Sequence, residues 1–199
     1  MSDATHPPAS SALSDLRNRI AQRLPARRVW LKTVHAVMIP LFVWFMLVQP
    51  KDVVPLGATA FQIHSLLGLV FVTLTLIWSA DYLRRGLAGR PGPKLPPWAR
   101  KLHKVLHHTL IWGLMFVAVS GFLLGLTSHV LLKAGGILPI APPLDMPKAN
   151  AIIGWLHTVE FYALGGVAAG HAAFHIWRHV KLRDNALRIM APKALHRYL

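Results

Sequence analysis

The sequence predicts an all-α integral membrane protein, a four-helix bundle with both termini in the cytoplasm. Three observations predict it. Of 199 residues, 54% are hydrophobic and only 15% charged, against about 25% charged in an ordinary soluble domain. The apolar residues gather into four stretches long enough to cross a bilayer, which takes about 20 residues. The basic residues fall almost entirely on one side of those stretches.

The stretches cover approximately residues 33–50, 58–80, 105–127 and 149–177, all free of Lys, Arg and Asp. Glu160 is their single acidic residue. The first is short, and residues 29–31 lengthen it with Lys32 snorkelling to the interface. A fifth apolar run, residues 130–144, is broken by Gly135, Gly136, Pro139, Pro142 and Pro143. It reads as an interfacial loop, because lipid cannot satisfy the backbone that such breakers free.

The chain carries 22 basic and 7 acidic residues, a formal charge of +15. In a soluble protein that balance points to nucleic acid; here the charges are too sparse and the apolar residues too clustered. Nineteen of the 22 lie before the first stretch, between the second and third, or after the fourth, leaving only Lys51, Lys133 and Lys148. The positive-inside rule therefore puts both termini and the middle link in the cytoplasm. Trp30, Trp78, Trp155 and Trp177 stand near span ends, where interfacial aromatics belong. Zero cysteines exclude disulfides, thiolate zinc sites, iron–sulfur clusters and covalent c-type haem.

Three regions follow. Residues 1–29 form a cytoplasmic tail without a cleavable signal. Within it Leu13, Leu16, Ile20 and Leu24 recur at helical spacing among arginines, the pattern of a basic helix on the inner leaflet; a solvated tail is the alternative. Residues 30–192 form the four-span domain, and residues 193–199 a second cytoplasmic tail.

Twelve histidines are many for this length, and only His6 and His196 lie in the tails. An ionisable residue at membrane depth is a functional hypothesis by default. His64, His129 and His157 lie toward the outside. His35, His103, His107, His108, His171, His175 and His179 lie toward the cytoplasm. Fourteen helical residues leave His157 and His171 about 40° apart around one helix and about 21 Å apart along it. One face thus offers an imidazole to each half of the bilayer, where His64 can meet His157 and His35 can meet His171. Two imidazoles from two helices are the arrangement of bis-histidine haem ligation in a bundle core.

Gly68, Gly165, Gly166 and Gly170 would leave room for a flat porphyrin, whereas Gly121 and Gly125 suit ordinary small-residue helix packing. Two other readings stay open. His175 is a rival inner ligand on the same face as His157, about 27 Å away. The i, i+4 pairs His103/His107 and His171/His175/His179 also suit zinc, although a zinc path would want carboxylates beyond Glu160.

The segments Trp155-Leu-His157, Gly170-His171-Ala-Ala and Asp184-Asn-Ala-Leu-Arg-Ile-Met190-Ala-Pro192 resemble the last span and tail of the bacterial cytochrome b561 family. Leu31-Lys-Thr-Val-His35, His64-Ser-Leu-Leu-Gly68, and His107 at its distance from Ser120-Gly121 extend the resemblance over roughly residues 30–192. It implies a four-helix cytochrome of the bacterial inner membrane with two non-covalent b haems. It implies His35 and His171 as ligands of the inner haem iron, and His64 and His157 of the outer. His107 and His179 fall at family histidine positions and become candidates for quinone or propionate contacts. Three departures stand out: Trp78 where relatives often carry an arginine, a glutamate at Glu160 rather than beside His157, and Arg188-Ile189-Met190 where an arginine commonly precedes the methionine directly.

By the same resemblance the protein is similar to superoxide oxidase, an oxidoreductase passing electrons from superoxide to ubiquinone. Lys133 and Lys148 are candidates for attracting the anion, and His107, His108, Lys104 or His179 for contacting the quinone. An electron-transfer cytochrome b subunit docked to a hydrogenase- or dehydrogenase-type partner shares the plan. A histidine-rich metal-ion transporter without haem is the reading from another class.

Overall fold

A computed structural model describes residues 26–89, 91–191 and 193–198; the basic helix expected around Leu13–Leu24 lies outside them. Four long helices form the bundle: α1 (Arg27–Leu47), α2 (Ala58–Arg85), α3 (Pro97–Thr127) and α4 (Pro147–Trp177). Each is long and apolar enough to cross a membrane. The helices outrun the apolar stretches at their charged ends because Lys and Arg are good helix formers. Helix α2 ends at Gly86, whose φ is +68° and whose N–H reaches the Tyr82 carbonyl at 2.7 Å. Pro97 and Pro147 open α3 and α4 from the first turn, where a missing N–H costs nothing.

The helices pack in a ring, α1 on α2, α2 on α3, and α3 most extensively on α4, with α4 against α1 the thinnest side. The tight α3–α4 seam has a local cause. A Cβ on Gly113 would stand 2.5 Å from Leu164 Cδ1, so the glycine lets the buried leucine in. Large apolar side chains instead cover the outside, among them Phe116, Trp155 and Ile152. An apolar belt of this size on four spanning helices is a lipid-facing surface. Of the most apolar stretch of α4 only 6% is buried, against 17% in each of the others.

The link from α1 to α2 is a helical turn, Pro50–Val53, capped by the Asp52 carboxylate on the Gln49 N–H at 2.8 Å. Residues 130–144, expected as an irregular loop, contain a small antiparallel hairpin, Leu132–Ala134 with Leu138–Ala141. Pairing satisfies backbone groups that the breakers expose. Gly135 and Gly136 make the turn at positive φ, and a Cβ on Gly136 would strike Gln62 Cγ at 2.6 Å. The hairpin is thereby folded down against the start of α2.

The opposite, basic end is fastened by ion pairs around Asp81 and Asp184. Arg27 on α1 donates to the Asp81 carboxylate of α2 at 2.6 and 2.8 Å and to the Gly86 carbonyl at 2.7 Å. Beyond α4 the chain widens into a π-helical turn, Arg178–Leu182, then reverses through left-handed Arg183 and Asn185. That reversal brings Asp184 back onto Arg178 at 2.7 and 2.9 Å, with side-chain exposures of 4% and 1%. Asp184 also accepts the Ala186 N–H at 3.0 Å, starting the short helix Ala186–Met190. Leu95, Ala99 and Phe174 form the buried apolar cluster at this end.

Candidate functional site

The histidines separate into two groups along the bundle. At the basic end, His103 and His107 of α3 meet His171 and His175 of α4. Ring centroids are 4.1 Å apart for His103–His107, 4.7 Å for His107–His171 and 4.5 Å for His171–His175. One turn of α3 and one of α4 place each i, i+4 pair on a shared face, and the close α3–α4 seam brings the faces together. His171 Nδ1 and His175 Nε2 are buried with no hydrogen-bond partner. His35, expected opposite His171, reaches into the bundle from α1 and packs on Trp78 at 5.7 Å. Trp78 therefore occupies the neighbourhood where the resemblance leads one to expect an arginine.

At the other end the histidines do not crowd. His64 of α2 is buried, its ring against Phe45 at 5.0 Å, and Trp44 Nε1 donates to its Nδ1 at 3.2 Å. His157 of α4 has Nδ1 at 2.8 Å from Ser120 Oγ. The serine hydroxyl donates to the Val117 carbonyl at 3.2 Å, so it accepts from His157 Nδ1–H. His157 Nε2 is left with its lone pair. A chain of ring contacts joins the two residues, from His64 through Phe45, Phe71, Phe42 and Phe161 to His157. His129, beyond α3, is exposed.

The glycines divide differently from the expectation. Gly68 abuts Phe45, and Gly165 abuts Met46, where a Cβ would come within 2.8 Å of Cε. Gly166 and Gly170 have nothing within 4 Å and are exposed; they lie about 180° and 140° around α4 from His157. Gly121 seats the His157 ring, since a Cβ there would stand 3.1 Å from Cε1. It thus serves close packing of α3 on α4 at the point where α4 presents an imidazole.

Two cavities of about 400 Å³ each open at the basic end. One is lined by Tyr82, Leu87, Lys104, His108 and Trp112, the other by Gly89, Pro91, Arg100, Lys101, His103 and Lys104. His107 Nδ1 lies 2.7 Å from the His103 carbonyl and His108 Nδ1 2.7 Å from that of Lys104. A carbonyl only accepts, so both rings carry the proton on Nδ1 and present a bare Nε2. His179 lies in the π-helical turn, one turn beyond His175.

The family model of prokaryotic cytochrome b561 matches residues 26–193. The chain belongs to that family. It is a multi-pass membrane cytochrome of the b type that works in electron transfer, and family membership implies haem b. No curated protein matches the chain closely enough to count as a relative.

The residues of this cytochrome fit such a group. Axial imidazoles bind iron through one nitrogen while the other N–H is held by a neighbour, and Ser120 gives His157 that state in advance. His171 Nδ1 is buried without a hydrogen-bond partner, so this ring has no neighbour holding it as Ser120 holds His157. His64 holds the other tautomer, since the Trp44 N–H occupies its Nδ1 lone pair and leaves the proton on Nε2. Ser120, Trp44, Arg178 and Asp184 carry no haem-ligand signature in sequence. Only Ser120 and Asp184 stand inside family-like motifs.

Proposed function

We propose that this cytochrome holds two b haems, the inner between His35 and His171 and the outer between His64 and His157. We propose that it passes electrons from superoxide to ubiquinone in the bacterial cytoplasmic membrane, its termini on the cytoplasmic side. The observation that carries the reading is the single face of α4 with His157 and His171 about 21 Å apart, facing histidine-bearing helices at both ends. The one-sided distribution of 19 basic residues supports the orientation.

Bound haem b supplies reversible one-electron exchange at its iron. The protein's own groups do the rest. Ser120 keeps the His157 proton at Nδ1, so the ring needs no rearrangement to bind metal. Phe42, Phe45, Phe71 and Phe161 keep the outer half of the bundle dry, which limits proton leakage beside the electron path. Lys133 and Lys148, exposed at the outer end, draw an incoming anion by their field.

The cavity lined by Tyr82, Lys104, His108 and Trp112 suits a quinone headgroup, being apolar-walled with convergent polar groups. Lys104 is the donor to a quinone carbonyl. The bare His108 Nε2 accepts from the hydroxyl of the reduced product. His107 and His179 remain candidates for quinone or propionate contact, although His107 as a neutral ring offers a lone pair there. The reaction balances as two superoxide, one ubiquinone and two protons giving two dioxygen and one ubiquinol.

The purified cytochrome mixed with superoxide and a short-chain ubiquinone tests this directly. Rapid quinol formation with no other protein present is the expected result. Inertness toward superoxide, with a normal reduced haem spectrum, overturns the superoxide step and favours an electron-transfer subunit that needs a hydrogenase- or dehydrogenase-type partner.

A further inference from the structure

We infer that His103, His107 and His175 form a separate binding site for one divalent late first-row transition metal, zinc in the first instance. One ligand nitrogen from each of the three lies within 4.8 Å of the others. They come from α3 and α4 alone, and two are an i, i+4 pair on one helix face, the spacing by which a helix offers two imidazoles to one ion. The inner haem pair proposed above is His35 of α1 with His171 of α4; His171 touches His107 and His175, but the two sites share no ligand.

The site has features that chance clustering does not require. His107 donates its Nδ1–H to a backbone carbonyl at 2.7 Å, the outer bond that ordinarily orients a metal-bound histidine and leaves Nε2 free. His175 Nε2 is buried without a partner, a cost that a bound ion would remove. The Nε2 atoms of His103 and His107 converge beneath Gly89, where a Cβ would stand 3.8 and 3.6 Å from them. His103 is itself 2% exposed and lines the second cavity, which supplies an entry path.

Three neutral nitrogen donors without a carboxylate select zinc or copper over magnesium or calcium. Tetrahedral zinc needs ligand nitrogens about 3.3 Å apart for bonds of about 2.0 Å, so modest ring rotations close the site. Three protein ligands leave a fourth position open. The cavity rim there is basic, with Arg100, Lys101 and Lys104, while Arg178 is neutralised by Asp184. That rim weakens the site for a bare cation and favours an anionic fourth ligand.

The test uses the full-length, haem-loaded cytochrome purified without a histidine tag, stripped with EDTA and equilibrated with zinc. Metal analysis should find one zinc per chain. His103→Gln or His175→Gln should lower zinc affinity at least about tenfold with haem content unchanged. X-ray absorption at the zinc edge of the wild type should show three imidazole nitrogens near 2.0 Å. Zinc retention equal to that of the triple His→Gln variant, fewer than three imidazoles at the metal, or loss of a haem on His103→Gln would each overturn the assignment. A failure of the superoxide reaction leaves these readouts untouched.

Discussion

The two ends of the bundle use histidine differently. At the outer end His64 and His157 are each held by a different kind of group, an indole and a hydroxyl, with phenyl rings between them. At the basic end four histidines touch one another in one cluster, with Phe174 against two of them. A ring oriented by a hydroxyl has one tautomer and one free nitrogen before any ligand arrives. At the basic end His107 is held by a backbone carbonyl, whereas His171 Nδ1 and His175 Nε2 are buried with no hydrogen-bond partner. The proposed outer pair uses both of the rings at its end, whereas the basic end holds more imidazoles than the proposed inner pair uses.

The sharpest way to break this comparison is to delete the proposed ligands. With two haems as proposed, His157→Ala or His64→Ala should lower the haem content to one per chain, read as pyridine haemochrome. His35→Ala or His171→Ala should remove the other haem. His107→Ala should leave two. Loss of haem on replacing His175, with His171 dispensable, would show that the cluster supplies the inner iron through a different member.

The next effect is on stability and belongs to the basic end alone. Removing one partner of a buried pair strands the other charge, which costs about 3–5 kcal/mol. Arg178 and Asp184 are almost wholly buried, so Arg178→Ala should lower the thermal midpoint in detergent by several degrees. The outer haem should keep its spectrum below the new midpoint. Gly92→Val should act in the same direction, because a Cβ there already stands 3.0 Å from Arg178 Nη2 and 3.2 Å from Asp184 Oδ2. Parallel loss of both haems in Arg178→Ala would mean that the ends do not behave independently.

Ser120→Ala probes the outer end more gently. It leaves His157 in place and removes the group that holds its Nδ1–H. Outer-shell partners of this kind are worth about ten- to a hundredfold in metal-site affinity or activity. Outer haem affinity should fall within that range while the inner haem is unaffected. Unchanged affinity and an unchanged outer-haem potential would show that the phenyl wall alone orients His157.

The spans and the two histidine layers were legible because hydropathy and a 3.6-residue period are local properties of sequence. Gly121 reads as close helix packing, and the part of α4 it admits is the His157 ring. Small-residue spacing does not say which side chain of the neighbouring helix will fill the space. The residues 130–144 hairpin was hidden because glycines and prolines that break a helix also build a turn. The Arg178–Asp184 pair depends on two consecutive local departures, a π-helical turn and a left-handed Arg183. Neither has a compositional mark. The convergence of His103 with His175 rests on how closely α3 approaches α4, which Gly113 permits but its sequence context does not announce.

The smallest expected effect has an informative sign. Trp44 Nε1–H donates to His64 Nδ1 at 3.2 Å, and that bond favours the tautomer with the proton on Nε2. Iron needs the Nε2 lone pair, so the bond must be surrendered or the proton relocated on binding. A typical net hydrogen bond is worth about 0.5–1.5 kcal/mol. Trp44→Phe removes that bond while keeping an aromatic ring at the site, so haem titration of the apoprotein should show the proposed outer site tightening by up to about tenfold. Weaker binding instead would mean that the indole contributes more to the bound state, by packing or by a new hydrogen bond, than it withholds from the free one. In that case His64 is oriented by its indole as His157 is by Ser120, and the two ligands of the outer end are equally prepared.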